Sequence, residues 1–351
     1  MKTTMSGLLK AKPEAGAEYR NDLPIPTVGS RDVLVKVKAA AICGTDMHIL
    51  AWTPYAQARV PVPMVFGHEF SGTIVAIGDE VHEFSVGDRV AGETHIPCNH
   101  CYQCKTDNRH ICENMKIIGV QAPGAFAQYI SFPADCAYRF GDSLSFRHAA
   151  MLEPMGVAVH GIDCGSVAEK DIVIYGCGPI GLMAVGAARV FGAKTITAID
   201  IYDRKLTVAS KMGADYIINS QTVDAVAEIH QRVRQGVDVV IDYTGNPNAI
   251  NAGFDMLRKG GRFVMVGLPS ADMSFSFTDK VIYKEATVVG VTGRKMYETW
   301  KQCEHVLADP RFDLEQIVGG VYSLKDYQEA FHAIESGVPG KMLLVPEGVE
   351  D

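Results

Sequence analysis

A buried-strand pattern, Asp171-Ile-Val-Ile-Tyr175, runs directly into Gly176-Cys-Gly-Pro-Ile-Gly181 and then into a largely apolar stretch ending near Phe191. A G-x-G-x-x-G after a strand and opening a helix restricts the chain to few architectures. Glycines at 176, 178 and 181 permit a tight turn and a close backbone approach, so a pyrophosphate can sit on the helix N-terminus, where Pro179 and Ile180 lie. Thr195-Ile-Thr-Ala-Ile199 is the next strand, and Asp200 ends it 19 residues after Gly181. A carboxylate there accepts the hydroxyls of an adenosine ribose and repels a 2′-phosphate, which predicts NAD; Arg204 and Lys205 keep NADP open. The competing reading is a glycine-rich structural turn, and the flanking strands and the acid weigh against it.

The alternation continues. Tyr216–Ile218, Val237–Ile241, Arg262–Val266 and Ala286–Gly290 read as further strands between helical segments, which predicts a doubly wound parallel sheet with helices on both faces. The first half differs in texture. Asp32–Lys38, Gly72–Gly78, Val86–Val90 and Ala125–Ser131 are short β-rich runs bounded by Gly or charge, as in an antiparallel, partly barrel-like domain. A length of 351 residues suits two such domains. Near the end, Tyr297–Leu307 and Leu324–Ser336 read as amphipathic helices, and Lys341–Val345 as a last strand returning to the first domain.

Composition excludes several functions. With 33 Lys+Arg against 41 Asp+Glu and a net charge of −8, nothing suggests the basic face a nucleic-acid binder needs. The long uncharged stretch Ile172–Ala188 is interrupted by glycines and short of a membrane span. The N-terminal residues Met1–Lys12 lack a signal-peptide core, so a cytoplasmic location is expected.

Four of the nine cysteines form the series Cys98-x2-Cys101-x2-Cys104-x7-Cys112. Four thiolates so spaced can close a tetrahedral zinc site with no open position, a structural site. An iron–sulfur cluster is the rival, but the common ferredoxin run ends C-x3-C-P, whereas seven residues intervene here and Glu113 follows. A second constellation is dispersed: Cys43-Gly-Thr45-Asp-Met-His48, Gly67-His68-Glu69 and Glu153-Pro154. Cys, His and carboxylate are suitable ligands for a catalytic zinc. Packed core residues are an equally good reading of these positions by spacing alone.

Taken together, these pieces resemble the zinc-dependent medium-chain dehydrogenase/reductase family over nearly the whole chain, in the same order. Within it, Cys43–Ile49, Val62–Val65, Glu93-Thr-His-Ile96 and Gly293–Trp300 are most similar to the L-threonine 3-dehydrogenases. The resemblance implies a GroES-like catalytic domain built from residues 1–155 and 295–351 around a Rossmann NAD-binding domain at 156–294. It implies two zinc ions per subunit: a catalytic one on Cys43, His68 and Glu69, and a structural one on Cys98, Cys101, Cys104 and Cys112. Thr45 and His48 would relay the alcohol proton to solvent, with Glu153 assisting. Cofactor contacts are implied for Ile180, Asp200 and Lys205, and for Val266, Gly267, Leu268, Val291 and Thr292. The expected substrate is a small secondary alcohol, L-threonine, oxidised to 2-amino-3-oxobutyrate, and the expected assembly is a homotetramer.

Two departures favour a polyol or sugar-alcohol dehydrogenase of the sorbitol or butanediol type as the alternative. Val157 stands where the threonine enzymes usually have asparagine, and Tyr55 replaces a tryptophan. A non-catalytic NAD-binding homologue is a further alternative, and the intact ligand and relay residues count against it. His95 is a candidate for the substrate cleft. Arg294 is read as a phosphate contact, a carboxylate partner or a packing residue.

Overall fold

The structure is a computed structural model and describes residues 3–269 and 272–346. The chain forms two compact units: Met1–Glu153 with Val318–Asp351, and Pro154–Ile317.

In the first unit the strand Asp32–Ala41 is the organiser. Its Val and Ala residues are buried and only its Asp and Lys residues are partly exposed, and it pairs antiparallel with Glu69–Ile77, Tyr129–Pro133 and Lys341–Val345. The C-terminal strand thus returns to this unit, as expected from the sequence. Ala41 faces Glu69 on one side and Leu343 on the other, two residues before Cys43. The sheet register therefore gathers the ends of three strands near Cys43. The core beneath holds edge-on aromatic pairs, Phe66–Phe126 with centroids 5.1 Å apart and Phe70–Phe132 at 5.2 Å. Gly67 precedes His68 with φ +92°, and a Cβ there would lie 2.5 Å from the Phe126 ring. Only glycine brings the chain into His68 along this path.

The second unit is a six-stranded, all-parallel sheet in the order Tyr216–Asn219, Thr195–Asp200, Asp171–Tyr175, Val237–Asp242, Leu257–Met265, Thr287–Gly290. In chain sequence this is 3-2-1-4-5-6, with the order reversing beside Asp171–Tyr175, where a doubly wound sheet opens a crevice at its carboxyl edge. Helix Pro179–Val190 packs so tightly on the first strand that a Cβ at Gly181 would fall 1.8 Å from the Gly176 carbonyl oxygen.

Two differences from the sequence reading stand out. Residues 295–317, expected with the β-rich domain, lie in the second unit. Helix Glu298–Ala308 buries Trp300, Cys303 and Val306, and Phe312 fills the space against Gly186 of helix Pro179–Val190. An amphipathic period shows that a helix has an apolar face but not which core receives it. The hairpin of Thr4–Lys10 with Glu18–Pro24 was not expected, because the second strand, Glu-Tyr-Arg-Asn-Asp-Leu-Pro, is polar and largely exposed.

Candidate functional site

Cys43 caps helix Gly44–Ala51, and its N–H donates to Asp46 Oδ2 at 2.8 Å. His68 and Glu69 enter where strand Glu69–Ile77 begins. One ligand atom from each of Cys43, His68 and Glu69 lies within 4.8 Å of the others. His68 is 5% exposed and Glu69 is fully buried. Burial raises the Glu69 carboxyl to about 7 against the pull of Lys341, and the Glu153 carboxylate adds to the rise. Burial disfavours a charged His68, but the carboxylate of Asp46 and the Cys43 sulfur outweigh it and hold its pKa well above the ordinary value. Glu69 Oε2, His68 Nδ1 and Asp46 Oδ1 are buried without a hydrogen-bond partner, the last two 3.6 Å apart. A thiol, an imidazole and a carboxylate converging with unsatisfied buried atoms fit a divalent cation of the zinc type.

Thr45 and His48 stand three residues apart on the same helix, Thr45 half-buried and His48 exposed. His48 Nδ1 lies 3.3 Å from Thr53 Oγ1, and its ring centroid is 5.8 Å from that of Tyr55. Glu153 is buried in the first turn of helix Leu152–Gly165.

The four cysteines of the lobe also converge. Cys101 Sγ is 3.5 Å from Cys104 Sγ and 3.8 Å from Cys112 Sγ, close to the roughly 3.8 Å edge of a tetrahedron with Zn–S bonds of about 2.3 Å. Backbone N–H groups of Cys98, Cys101 and Asn114 point at the sulfurs. The amides of His100 and Cys101 pull the Cys98 thiol down to about 6, while burial pushes Cys104 up to about 12. Four thiolates in one cluster need a cation to coexist, and these fit zinc.

In the second unit, Gly176, Gly178, Asp200 and Lys205 line a groove of about 650 Å³ together with Tyr243 and Thr244. Gly176 has φ +97°. Asp200 Oδ2 accepts from Cys177 N at 2.7 Å, and Oδ1 accepts from the N–H groups of Ile201 and Tyr202 at 2.8 and 3.0 Å. The glycine turn and the acid are thus one hydrogen-bonded unit. Pro179, Ile180 and Gly181 open the following helix, and Lys205 Nζ lies 4.9 Å from the Tyr202 ring centroid. Val266, Gly267 and Leu268 follow strand Leu257–Met265, and Val291 and Thr292 follow Thr287–Gly290, at the carboxyl edge. Leu268 is 80% exposed.

Three residues escaped the sequence reading. Asp46, inside the quoted Cys43–His48 segment, caps its helix and backs His68. Lys341 pairs with Glu69; its only sequence signal is a charge opening an otherwise apolar strand. Asp242 is fully buried: its carboxylate accepts from Thr244 and Gly245, and its carbonyl accepts from Val266 N and Gly267 N. An acid at the end of a buried strand was the available clue. His95 is paired with buried Glu93, Nδ1 to Oε1 at 2.7 Å. Arg294 is fully buried, with its Cζ 5.4 Å from the Trp300 ring and its side chain against Gly156.

Comparison with known proteins agrees with this geometry. The alcohol dehydrogenase GroES-like domain family matches residues 29–142, and the zinc-binding dehydrogenase family matches 179–309. The chain is 39% identical over 344 residues to an L-threonine 3-dehydrogenase of Bacillus velezensis, covering 97% of this chain and 99% of that one. Among solved structures, 2R,3R-butanediol dehydrogenase of Bacillus subtilis superimposes with a TM-score of 0.88 at 27% identity, covering 98% of this chain and all of the other. A short chain alcohol dehydrogenase of Escherichia coli CFT073 complexed with NADH gives a TM-score of 0.89 at 27% identity, over 98% of this chain and 100% of that one. Near full-length identity of this degree, together with the two family matches, establishes that the chain belongs to the zinc-dependent medium-chain dehydrogenase/reductase family of oxidoreductases.

Proposed function

We propose that the protein is an NAD-linked, zinc-dependent dehydrogenase that oxidises L-threonine to 2-amino-3-oxobutyrate. The observation that carries the reading is the convergence of Cys43, His68 and Glu69 beside a helix that bears Thr45 and His48. The full-length likeness to an L-threonine 3-dehydrogenase supports the substrate. Cys43, His68 and Glu69 would hold one zinc ion; Cys98, Cys101, Cys104 and Cys112 would hold a second. When bound, the first ion lowers the pKa of the substrate alcohol and NAD accepts the hydride.

The chain's own residues do the rest. Thr45 Oγ1 takes the alcohol proton and passes it outward. Thr53 occupies His48 Nδ1, which leaves Nε2 to carry the proton to solvent from an exposed position. Glu153, buried and acting on Glu69 through its charge, supports the relay. In the second unit the amides at 176–181 receive the pyrophosphate, and Asp200 receives the ribose hydroxyls.

NADH formation with L-threonine, abolished by chelator and restored by zinc, tests the reading; no turnover with L-threonine while a polyol is oxidised supports the second reading. That second reading, a polyol or sugar-alcohol dehydrogenase, is favoured by Val157 and Tyr55 and by the likeness to butanediol dehydrogenase.

Cofactor choice follows from Asp200. Replacing it with Asn removes the charge while keeping one acceptor for the loop amides. The kcat/KM preference for NAD over NADP is expected to narrow by about tenfold or more, the scale of one hydrogen bond to a charged group. An unchanged ratio would show that Arg204 and Lys205 set the preference instead.

A cytoplasmic homotetramer belongs to the same proposal. No helix among the described residues is long and apolar enough to cross a membrane, and all nine cysteines are free. Phe277, Ile282 and Tyr283 of the second unit are left more than half exposed, as a subunit-contact surface would be. Light scattering is expected to give a multiple of 38.0 kDa; a 38.0 kDa particle at micromolar concentration would refute the assembly.

A further inference from the structure

Lys341 opens an otherwise apolar strand, and only 4% of it is exposed. Its ammonium donates to Glu69 Oε1 at 2.6 Å and to the carbonyl of Ile42, the residue before Cys43, at 2.9 Å. The sheet register explains the meeting, since Ala41 pairs with Glu69 on one side and with Leu343 on the other. One buried cation is therefore tied to both segments that deliver the thiol and the carboxylate. It also distinguishes the two oxygens of Glu69: Oε1 is taken, and Oε2 is buried without a hydrogen-bond partner.

We propose that Lys341 is a positioning residue of the metal centre, restricting Glu69 to a single available oxygen, Oε2, and keeping the ion exchangeable by placing a fixed positive charge beside it. The inference rests on the zinc assignment to Cys43, His68 and Glu69. Removing the ammonium would release Oε1 and remove a repelling charge, and both changes strengthen retention of a divalent ion. Arginine at the same position would keep the charge and a donor for Oε1.

The test uses the full chain loaded with cobalt(II). Subtracting the visible spectrum of Cys43→Ser, which keeps the four-cysteine site, isolates the bands of this centre. Lys341→Met is expected to shift and weaken those bands, as a second carboxylate oxygen joins the ion. Loss of this ion to a chelator should slow by about tenfold or more, the electrostatic effect of deleting one nearby charge. Lys341→Arg should restore the wild-type bands and rate. In a Glu69→Gln background, where no buried carboxylate is left unpaired to prevent folding, Lys341→Met should leave the bands unchanged. Unchanged bands with unchanged or faster release in Lys341→Met overturn the proposal, as does a band shift in the Glu69→Gln background. A wild-type spectrum identical to that of Cys43→Ser overturns the metal assignment itself.

Discussion

Cys43→Ser is expected to lower kcat/KM by about a thousandfold or more, because a Lewis acid supplies several kcal/mol to the reaction. The wild type should carry two zinc ions per chain by elemental analysis, and the variant one. Cys43 is a partly exposed helix cap, with Asp46 accepting its backbone N–H, so the substitution leaves the cap hydrogen bond in place. Folding should therefore survive, and near-UV circular dichroism should match the wild type. Two zinc ions retained with full activity would mean that Cys43 is a packed thiol and that the chemistry lies elsewhere. Replacing Cys104 should behave differently. That thiol is buried among three others, and its loss should unfold the lobe without a comparable selective effect on the chemical step.

Thr45→Ala should reduce kcat by about a hundredfold, the usual scale for removing one positioned proton-transfer group. KM for NAD should change little, since the groove lined by Gly176 and Asp200 is built from the second unit alone. Thr45→Ser, which keeps the hydroxyl, should recover most of the rate. A full rate in Thr45→Ala would remove the relay from the account. The structure gives the relay a reason to be on this helix. Thr45 and His48 are one turn apart, so the two side chains share a face, with Thr45 half-buried and His48 exposed.

Local patterns carried most of the fold. The strand at Asp171–Tyr175, the glycine turn and Asp200 are read directly from sequence because strand, turn and helix there are contiguous and the conformational demands on glycine are steep. The four cysteines are legible for a similar reason: they lie within fifteen residues of one another, and thiol chemistry leaves few alternatives. What was not legible depends on long-range placement. Lys341 meets Glu69 across 272 residues, through sheet register alone. Helix Glu298–Ala308 carries an apolar face that either core could have received, and the Phe312 ring against Gly186 decides it. Asp46 was in plain view, yet its part in backing His68 needs the return of a second strand to be seen. Hydrophobic periodicity records that a face is buried; it does not record the partner.

Substrate choice turns on charge. A zwitterion must have both charges paired when it leaves water, since an unpaired buried charge costs several kcal/mol, whereas a polyol needs only neutral hydrogen bonds. Arg294, one sequence-level candidate for the carboxylate, is fully buried beside the Trp300 ring. Glu93 and His95 form a polar pair in the first unit, with His95 only partly buried. Steady-state kcat/KM with NAD, measured in parallel for L-threonine, 2,3-butanediol, sorbitol and xylitol on zinc-replete protein, tests the proposed function most directly. The proposal predicts that L-threonine has the highest value and yields 2-amino-3-oxobutyrate; a polyol well above L-threonine would contradict it.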